Sequence, residues 1–148
     1  MSKLVNEAIK FEGINHITFA VSDLKKSIEF YKIVFGDRLV AESEKLAYFD
    51  LDGVWFALNV EKNIKSQERQ RTYTHIAFSM NLENQKKLKE KLANNGISFE
   101  DGRCRNSREG VSLYLRDYDG HLIEFHSSNL MDRLKYYSEE REDVKVYV

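Results

Sequence analysis

The sequence predicts an α+β fold made of two βαβββ modules whose strands form curved mixed sheets. Two internal echoes carry that reading. Asn15-His16-Ile17-Thr18-Phe19-Ala20-Val21 and Thr74-His75-Ile76-Ala77-Phe78-Ser79-Met80 are near copies, each with one histidine at the same point of a strand-like alternation. Asp52-Gly53-Val54-Trp55-Phe56-Ala57-Leu58-Asn59 is echoed by Asp119-Gly120-His121-Leu122-Ile123-Glu124-Phe125-His126, which sets Ala57 where Glu124 stands in the second copy. A duplicated module thus keeps two equivalent histidines and one carboxylate.

The elements follow in order. Ile14–Val21 reads as a strand, and Ser22-Asp23 caps a helix through Phe35 whose apolar positions Leu24, Ile28, Phe30, Tyr31 and Val34 are roughly helically spaced. Strands are expected at Arg38–Ser43, Leu46–Leu51 and Val54–Asn59, the last two joined by an Asp52-Gly53 turn. The charged stretch Val60–Arg71 reads as a linker or an active-site flap. The second module opens with a strand over Thr72–Met80, then a helix over about Leu82–Asn94 ended by Asn95-Gly96. Strands near Ser98–Glu100, Val111–Arg116 and His121–His126 complete the copy. Leu130–Tyr137 reads as a short terminal helix and the charged tail after it as loose. Met1–Phe11 has weak helical spacing through Leu4, Val5, Ala8 and Ile9. The expected organisation is an N-terminal extension (1–12), one domain (13–137, with modules 13–60 and 72–137 and a linker 61–71) and a C-terminal tail (138–148).

Strand side chains alternate faces, so His16 and Thr18 share one face while Ile17 and Phe19 take the other. Tyr73, His75 and Ala77 share a face by the same count, as do Leu122, Glu124 and His126. Each candidate ligand therefore lies opposite a well-formed apolar face, and curled sheets let those faces converge on one ion. Two imidazoles and a carboxylate leave coordination positions open, which suits a catalytic divalent metal better than a structural one. A lone histidine here would read as a half-buried strand residue with a hydrogen-bond partner. Two at equivalent positions of a repeat, with a glutamate, favour the metal.

Composition bounds the rest. The chain has 148 residues and 42% hydrophobic content, enough for one domain with a core shared by two halves. A net charge of −1 gives no reason to expect nucleic acid or an anionic membrane as partner. The single cysteine, Cys104, rules out an internal disulfide and fits a reducing, cytoplasmic setting. No apolar run is long enough to span a bilayer, and the N-terminus lacks a signal-peptide apolar core. Proline is absent, so Gly, Asn and Asp supply the turns.

From about Gly13 to Tyr137 the chain resembles the vicinal-oxygen-chelate superfamily, which includes glyoxalase I, extradiol dioxygenases and fosfomycin-resistance enzymes. The likeness is greatest to the bacillithiol-using fosfomycin-resistance thiol transferases. It rests on Ile14-Asn15-His16-Ile17, Lys45-Leu46-Ala47-Tyr48-Phe49, Gly53-Val54-Trp55 and Tyr73-Thr74-His75-Ile76-Ala77-Phe78. It continues in Asp119-Gly120-His121 with Glu124 and His126, and in Asp132-Arg133-Leu134 with Tyr136-Tyr137. Together these are specific, although each alone is weak.

The resemblance implies a Mn²⁺ site formed by His16, His75 and Glu124, with Mg²⁺ as a possible substitute. It implies a homodimer in which each site takes its first histidine from one subunit and the other two ligands from its partner. The implied substrate is fosfomycin, a small phosphonate-bearing epoxide opened by an external thiolate, from bacillithiol or L-cysteine. Arg133 matches the family's phosphonate-binding arginine and Arg103 another that lines the site; arginine forks suit a dianion's oxygens. Tyr48, Tyr73, Trp55 and Asn59 match positions around the substrate, and Thr18 and Tyr114 match groups that bond it near the metal. Ordinary strand packing is the alternative account of Tyr48, Tyr73 and Trp55, and solvated surface that of Arg133.

The glutathione-using branch holds a potassium ion in a serine-bearing loop. Here Arg108 replaces the first loop serine and would supply the cation's charge directly, Cys104 replaces the preceding lysine, and Ser112 is kept; the resemblance sets both Arg108 and Ser112 at the substrate, and no potassium requirement is expected. Cys104 is expected to be a bystander. The hydrolytic branch uses a glutamate base at the position of Leu46, which cannot accept a proton; Glu44 lies two residues away. Other readings on the same fold are a fosfomycin epoxide hydrolase, a glyoxalase, an Fe(II) dioxygenase, or a metal-free antibiotic-binding protein.

Overall fold

A computed structural model describes residues 10–64, 72–103 and 106–147. Met1–Ile9 of the weakly helical N-terminal stretch, residues 65–71 of the linker, and Cys104 lie outside the described residues. The first module runs β1 (His16–Val21), α1 (Leu24–Phe35), β2 (Leu39–Glu42), β3 (Leu46–Leu51) and β4 (Val54–Val60). The second runs β5 (His75–Ser79), α2 (Leu82–Asn94), β6 (Glu100–Asp101), a 3₁₀ turn (Ser107–Glu109), β7 (Ser112–Arg116) and β8 (Leu122–His126), followed by α3 (Leu130–Glu140). This is the βαβββ pattern twice over.

Each module makes one mixed four-stranded sheet, in the orders β1-β4-β3-β2 and β5-β8-β7-β6. In both, the first strand pairs parallel to the last and the rest are antiparallel. The register bears out the echo. Ala57 lies between Thr18 and Tyr48 as Glu124 lies between Ala77 and Tyr114.

Local chemistry sets the element ends. The Asp23 carboxylate accepts from Lys26 N–H at the start of α1, and Gly36, at φ +85°, ends it. Asn81 and Asn129 cap α2 and α3 in the same manner. Asp52 and Gly53 both take positive φ (55° and 93°) to close the tight β3–β4 hairpin.

The inward faces of both sheets and one face of α1 build a single core. Phe35 of α1 sits edge-on to Phe56 of one sheet and to Phe78 and Phe125 of the other. Tyr31, Phe49, Phe56, Leu58, Leu113 and Ile123 are fully buried. Leu88 and Leu92 of α2 close the second module's side.

The modules are also latched by the β7–β8 turn. Tyr31 donates to Asp117 Oδ2 at 2.6 Å, Ser22 N–H donates to Asp119 Oδ2 at 3.0 Å, and His121 donates to the Ala20 carbonyl at 2.8 Å. Burial raises the Asp117 carboxyl above its ordinary range even though His121 and Tyr31 pull it down. Replacing Tyr31 with Phe leaves that buried carboxyl short of a donor. Urea unfolding is expected to report a loss of about 1.5–3 kcal/mol, and an unchanged midpoint would deny the latch its role.

Most strand ends shift by one to three residues from those the sequence predicts, and two elements, β6 and the terminal helix, differ for a visible reason. The strand expected at Ser98–Glu100 is only Glu100–Asp101, because Ile97 and Phe99 pack against the core instead of pairing along β7. Gly102 then closes on Ser112 through a 2.8 Å backbone bond. The terminal helix continues past Tyr137 to Glu140, with Glu139 drawn onto Arg108 and Arg141 N–H capping the Tyr137 carbonyl. The tail beyond it carries an exposed bidentate Arg141–Asp143 pair at 2.6 Å. No described helix is long and apolar enough to cross a membrane.

Candidate metal centre

In-register neighbours point to the same side of a sheet, so each module presents one chemically rich face away from the core. In the second module that face carries His75 on β5, Glu124 and His126 on β8, and Ser112, Tyr114 and Arg116 on β7. In the first it carries His16 and Thr18 on β1, Trp55 and Asn59 on β4, and Leu46 and Tyr48 on β3.

Glu124 is the centre of the second face. Its carboxylate is nearly buried and stands 2.9 Å from His75 Nε2 through Oε2. Its other oxygen, Oε1, accepts from Ser112 at 2.5 Å and from Tyr114 at 3.0 Å. Burial alone would raise this carboxyl. The Ser112 and Tyr114 hydrogen bonds, with the His75 and His126 imidazoles, outweigh it and hold the group below the ordinary carboxylate range. Burial, the Tyr73 contact and Glu124 push the Tyr114 phenol well above its ordinary range, so it keeps its proton and donates. Tyr73 OH lies 2.6 Å from Tyr114 OH and is therefore the donor of that pair.

The His75 ring is oriented from behind. Its Nδ1 lies 2.6 Å from the Tyr73 carbonyl, which only accepts, so Nδ1 carries the hydrogen. In the neutral ring Nε2 is then a lone pair aimed at a carboxylate oxygen. Two acceptors 2.9 Å apart require a cation between them or a protonated ring. A divalent ion meets the need well: ligands about 2.1 Å from one ion and at right angles stand about 3.0 Å apart. The donor set of one imidazole and one ionised carboxylate fits such an ion.

His16 does not join this pair within one chain. Among the described residues no group of three metal-ligating side chains forms. His16 instead stacks at 4.5 Å on Trp55 and bonds Asn15 through Nδ1 at 2.7 Å, leaving Nε2 on the outward side of its ring. Tyr48 abuts Trp55 edge-on at 5.1 Å, and Thr18 and Asn59 are exposed on the same face. Trp55 is 41% exposed, a large apolar ring beside a histidine.

The remaining candidates divide. Arg133 reaches the second face: Nη2 donates to the Glu109 carbonyl at 2.7 Å and meets His126 Nε2 at 3.3 Å. Its Nε is buried with no hydrogen-bond partner among the described residues. Arg103 lines a cleft of about 810 Å³ with Tyr73, Tyr114, Arg116, Phe30 and Phe99, which opens beside the Tyr73–Tyr114 pair. Ser112 is only 4% exposed and gives its proton to Glu124, so it faces the candidate ligand instead of open space. Arg108 turns away to Glu139 at 2.6 Å and stacks over Tyr136, drawn by the acidic end of α3. His126 and Glu109 received no role from the sequence. His126 was within reach of the alternation argument, since it shares the face of Glu124 two residues on. Glu109 gave no such signal, because a 3₁₀ turn has no long-range periodicity.

Residues 13–125 match the family model described as the Glyoxalase/Bleomycin resistance protein/Dioxygenase superfamily. The chain is 47% identical over 130 residues to the metallothiol transferase FosB of Lysinibacillus sphaericus, covering 88% of this chain and 92% of that one. It is 46% identical over 132 residues to the metallothiol transferase FosB of Bacillus licheniformis, covering 89% and 86%. The crystal structure of the fosfomycin resistance protein FosX from Listeria monocytogenes, complexed with Mn(II) and sulfate, superposes with a TM-score of 0.76 at 33% identity, covering 86% of this chain and 99% of that one. The repeated βαβββ topology, the paired registers and this match over residues 13–125 place the chain in the glyoxalase/bleomycin resistance/dioxygenase superfamily.

Proposed function

We propose that this protein inactivates fosfomycin as a metal-dependent thiol transferase, adding bacillithiol or L-cysteine to the epoxide. The observation that carries the reading is the His75 Nε2–Glu124 Oε2 pair, an imidazole nitrogen and a carboxylate oxygen 2.9 Å apart on a face walled by tyrosines and reached by Arg133. Likeness over most of the chain to proteins named metallothiol transferase supports the chemistry. His16, His75 and Glu124 would hold Mn²⁺, or Mg²⁺ in its place, with His16 supplied by the second subunit of a homodimer. When bound, the ion supplies Lewis-acid stabilisation of the oxygen on which charge develops as the ring opens.

The chain's own residues do the rest. Arg133 and Arg103 offer guanidinium forks to the phosphonate dianion. Tyr114 keeps its proton and donates it to Glu124 beside the reacting centre, with Tyr73 donating to the Tyr114 oxygen from behind. Tyr48, Trp55, Asn59 and Thr18 line the facing half and confine the small substrate. No side chain need act as nucleophile, because the thiolate comes from outside, and the local arginines favour an anionic thiol as its thiolate.

Hydration of the epoxide would need a carboxylate base on the facing half. Leu46 occupies that position on β3, opposite Asn59, and is apolar. Glu44 sits exposed in the turn before β3, outside the strand register. Mass spectrometry of fosfomycin incubated with the protein, Mn²⁺ and each of bacillithiol, L-cysteine, glutathione or no thiol tests the proposal. A thiol adduct is expected, largest with bacillithiol; a diol formed equally fast without thiol would overturn it.

A further inference from the structure

We propose that Ser112 and His126 are positioning residues that lock Glu124 in one rotamer for the metal, with Arg133 as the far end of the same hydrogen-bond chain. The inference rests on Glu124 and His75 being metal ligands, as proposed above. A liganding carboxylate has no proton to give, so Ser112 Oγ–H donates to Glu124 Oε1 at 2.5 Å. A hydroxyl has one proton, so at its 2.7 Å contact with His126 Nδ1 the serine oxygen accepts. Nδ1 therefore carries the hydrogen, and Nε2 of the neutral ring is an acceptor. That nitrogen faces Arg133 Nη2, which only donates, at 3.3 Å. The two ends of the chain require the same tautomer.

The loop between β6 and β7 clamps this chain sterically. A Cβ on Gly110, which has φ +83°, would come 3.0 Å from His126 Nε2 and 2.6 Å from Ser128 Cβ. One on Gly102 would come 2.9 Å from Ser112 Cβ. Neither contact has room for a side chain, so the backbone lies directly on both positioning residues. The Glu109 carbonyl in the same loop anchors Arg133 at 2.7 Å. Oε1 is filled by Ser112 and Tyr114, which leaves Oε2 alone to face His75 and the ion.

The first module is an internal control. By register, Leu46, Tyr48, Ala57 and Asn59 are the counterparts of Ser112, Tyr114, Glu124 and His126. The tyrosine is kept in both copies. The serine and histidine appear only in the copy that has the carboxylate. Strand packing alone gives no reason for that correlation; support of the carboxylate does.

Titration of the purified full chain with Mn²⁺, followed by the electron paramagnetic resonance signal of the unbound ion, tests the inference. Ser112→Ala and His126→Phe are expected to weaken binding about 10–100-fold. Ser112→Thr keeps a hydroxyl, and His126→Asn places an amide N–H near the Nδ1 position, so both should recover most of the loss. Binding within about twofold of wild type for Ser112→Ala and His126→Phe, with Glu124→Ala defective, would overturn the inference and leave the ligand assignment standing. Equal loss in Ser112→Thr and His126→Asn would overturn it too, by reducing the effect to packing. Wild-type binding by Glu124→Ala would instead remove the ligand assignment on which it rests. Should His126→Phe fail to fold, Ser112→Ala, a single-atom deletion, decides.

Discussion

Replacing Glu124 with Ala is expected to lower thiol-transfer activity by about 10³-fold or more, since a Lewis-acidic ion contributes several kcal/mol to the transition state. The carboxylate is the one anionic ligand of the proposed set, so it supplies most of the attraction for a dication. Its loss should weaken Mn²⁺ binding by at least about 100-fold, more than the loss of a residue that only orients it. The fold should survive. Glu124 Oε1 is satisfied by Ser112 and Tyr114, both on the neighbouring strand, and its partners lie on the face away from the core. A melting temperature near that of wild type, with Mn²⁺ affinity and activity both lost, is the expected combination. An unchanged Mn²⁺ affinity would end the assignment of Glu124 as a ligand.

The repeat made the fold and the ligand candidates legible together. A period of two places His16, His75 and Glu124 on the faces opposite Ile17, Ile76 and Ile123, and the registers bear that out. The echo of Ala57 with Glu124 could be read from residues alone because both hairpins keep a Gly before the strand. What periodicity could not carry was tertiary direction. Arg108 was expected at the substrate, yet its side chain is long and exposed, and the glutamates at the end of α3 capture it. The brevity of β6 depends on Phe99 and Ile97 finding the core, a contact between distant parts of the chain. The β7–β8 turn resembles the β3–β4 turn in sequence, but it is longer and spends Asp117 and Asp119 on Tyr31 and Ser22 of the other module. Such latches depend on how the two halves dock, which neither half encodes alone.

Mixing two inactive variants is expected to restore activity, because the proposed site is divided between subunits. His16→Ala and Glu124→Ala homodimers would each have two broken sites. In a heterodimer of the two, one site takes its His16 from the defective His16 chain and its carboxylate from the defective Glu124 chain, and is doubly broken. The other takes both from intact positions. With random pairing half of the dimers are mixed, and each has one working site of two, so co-expression should yield about one quarter of wild-type activity in the mixture and about one half in the isolated heterodimer. Both parents should remain near background. The single chain supports the division: His16 does not cluster with His75 and Glu124 among the described residues, while its face exposes Trp55, Thr18 and Asn59. A two-fold pairing that sets this face over the Glu124 face would cover the Trp55 ring and bring the third ligand in one step. The measurement is the specific activity of doubly tagged heterodimer purified through both tags, with sizing of the wild-type protein beside it. Heterodimer activity no higher than the parents, or wild type eluting as a monomer with full activity, would mean that each chain completes its own site.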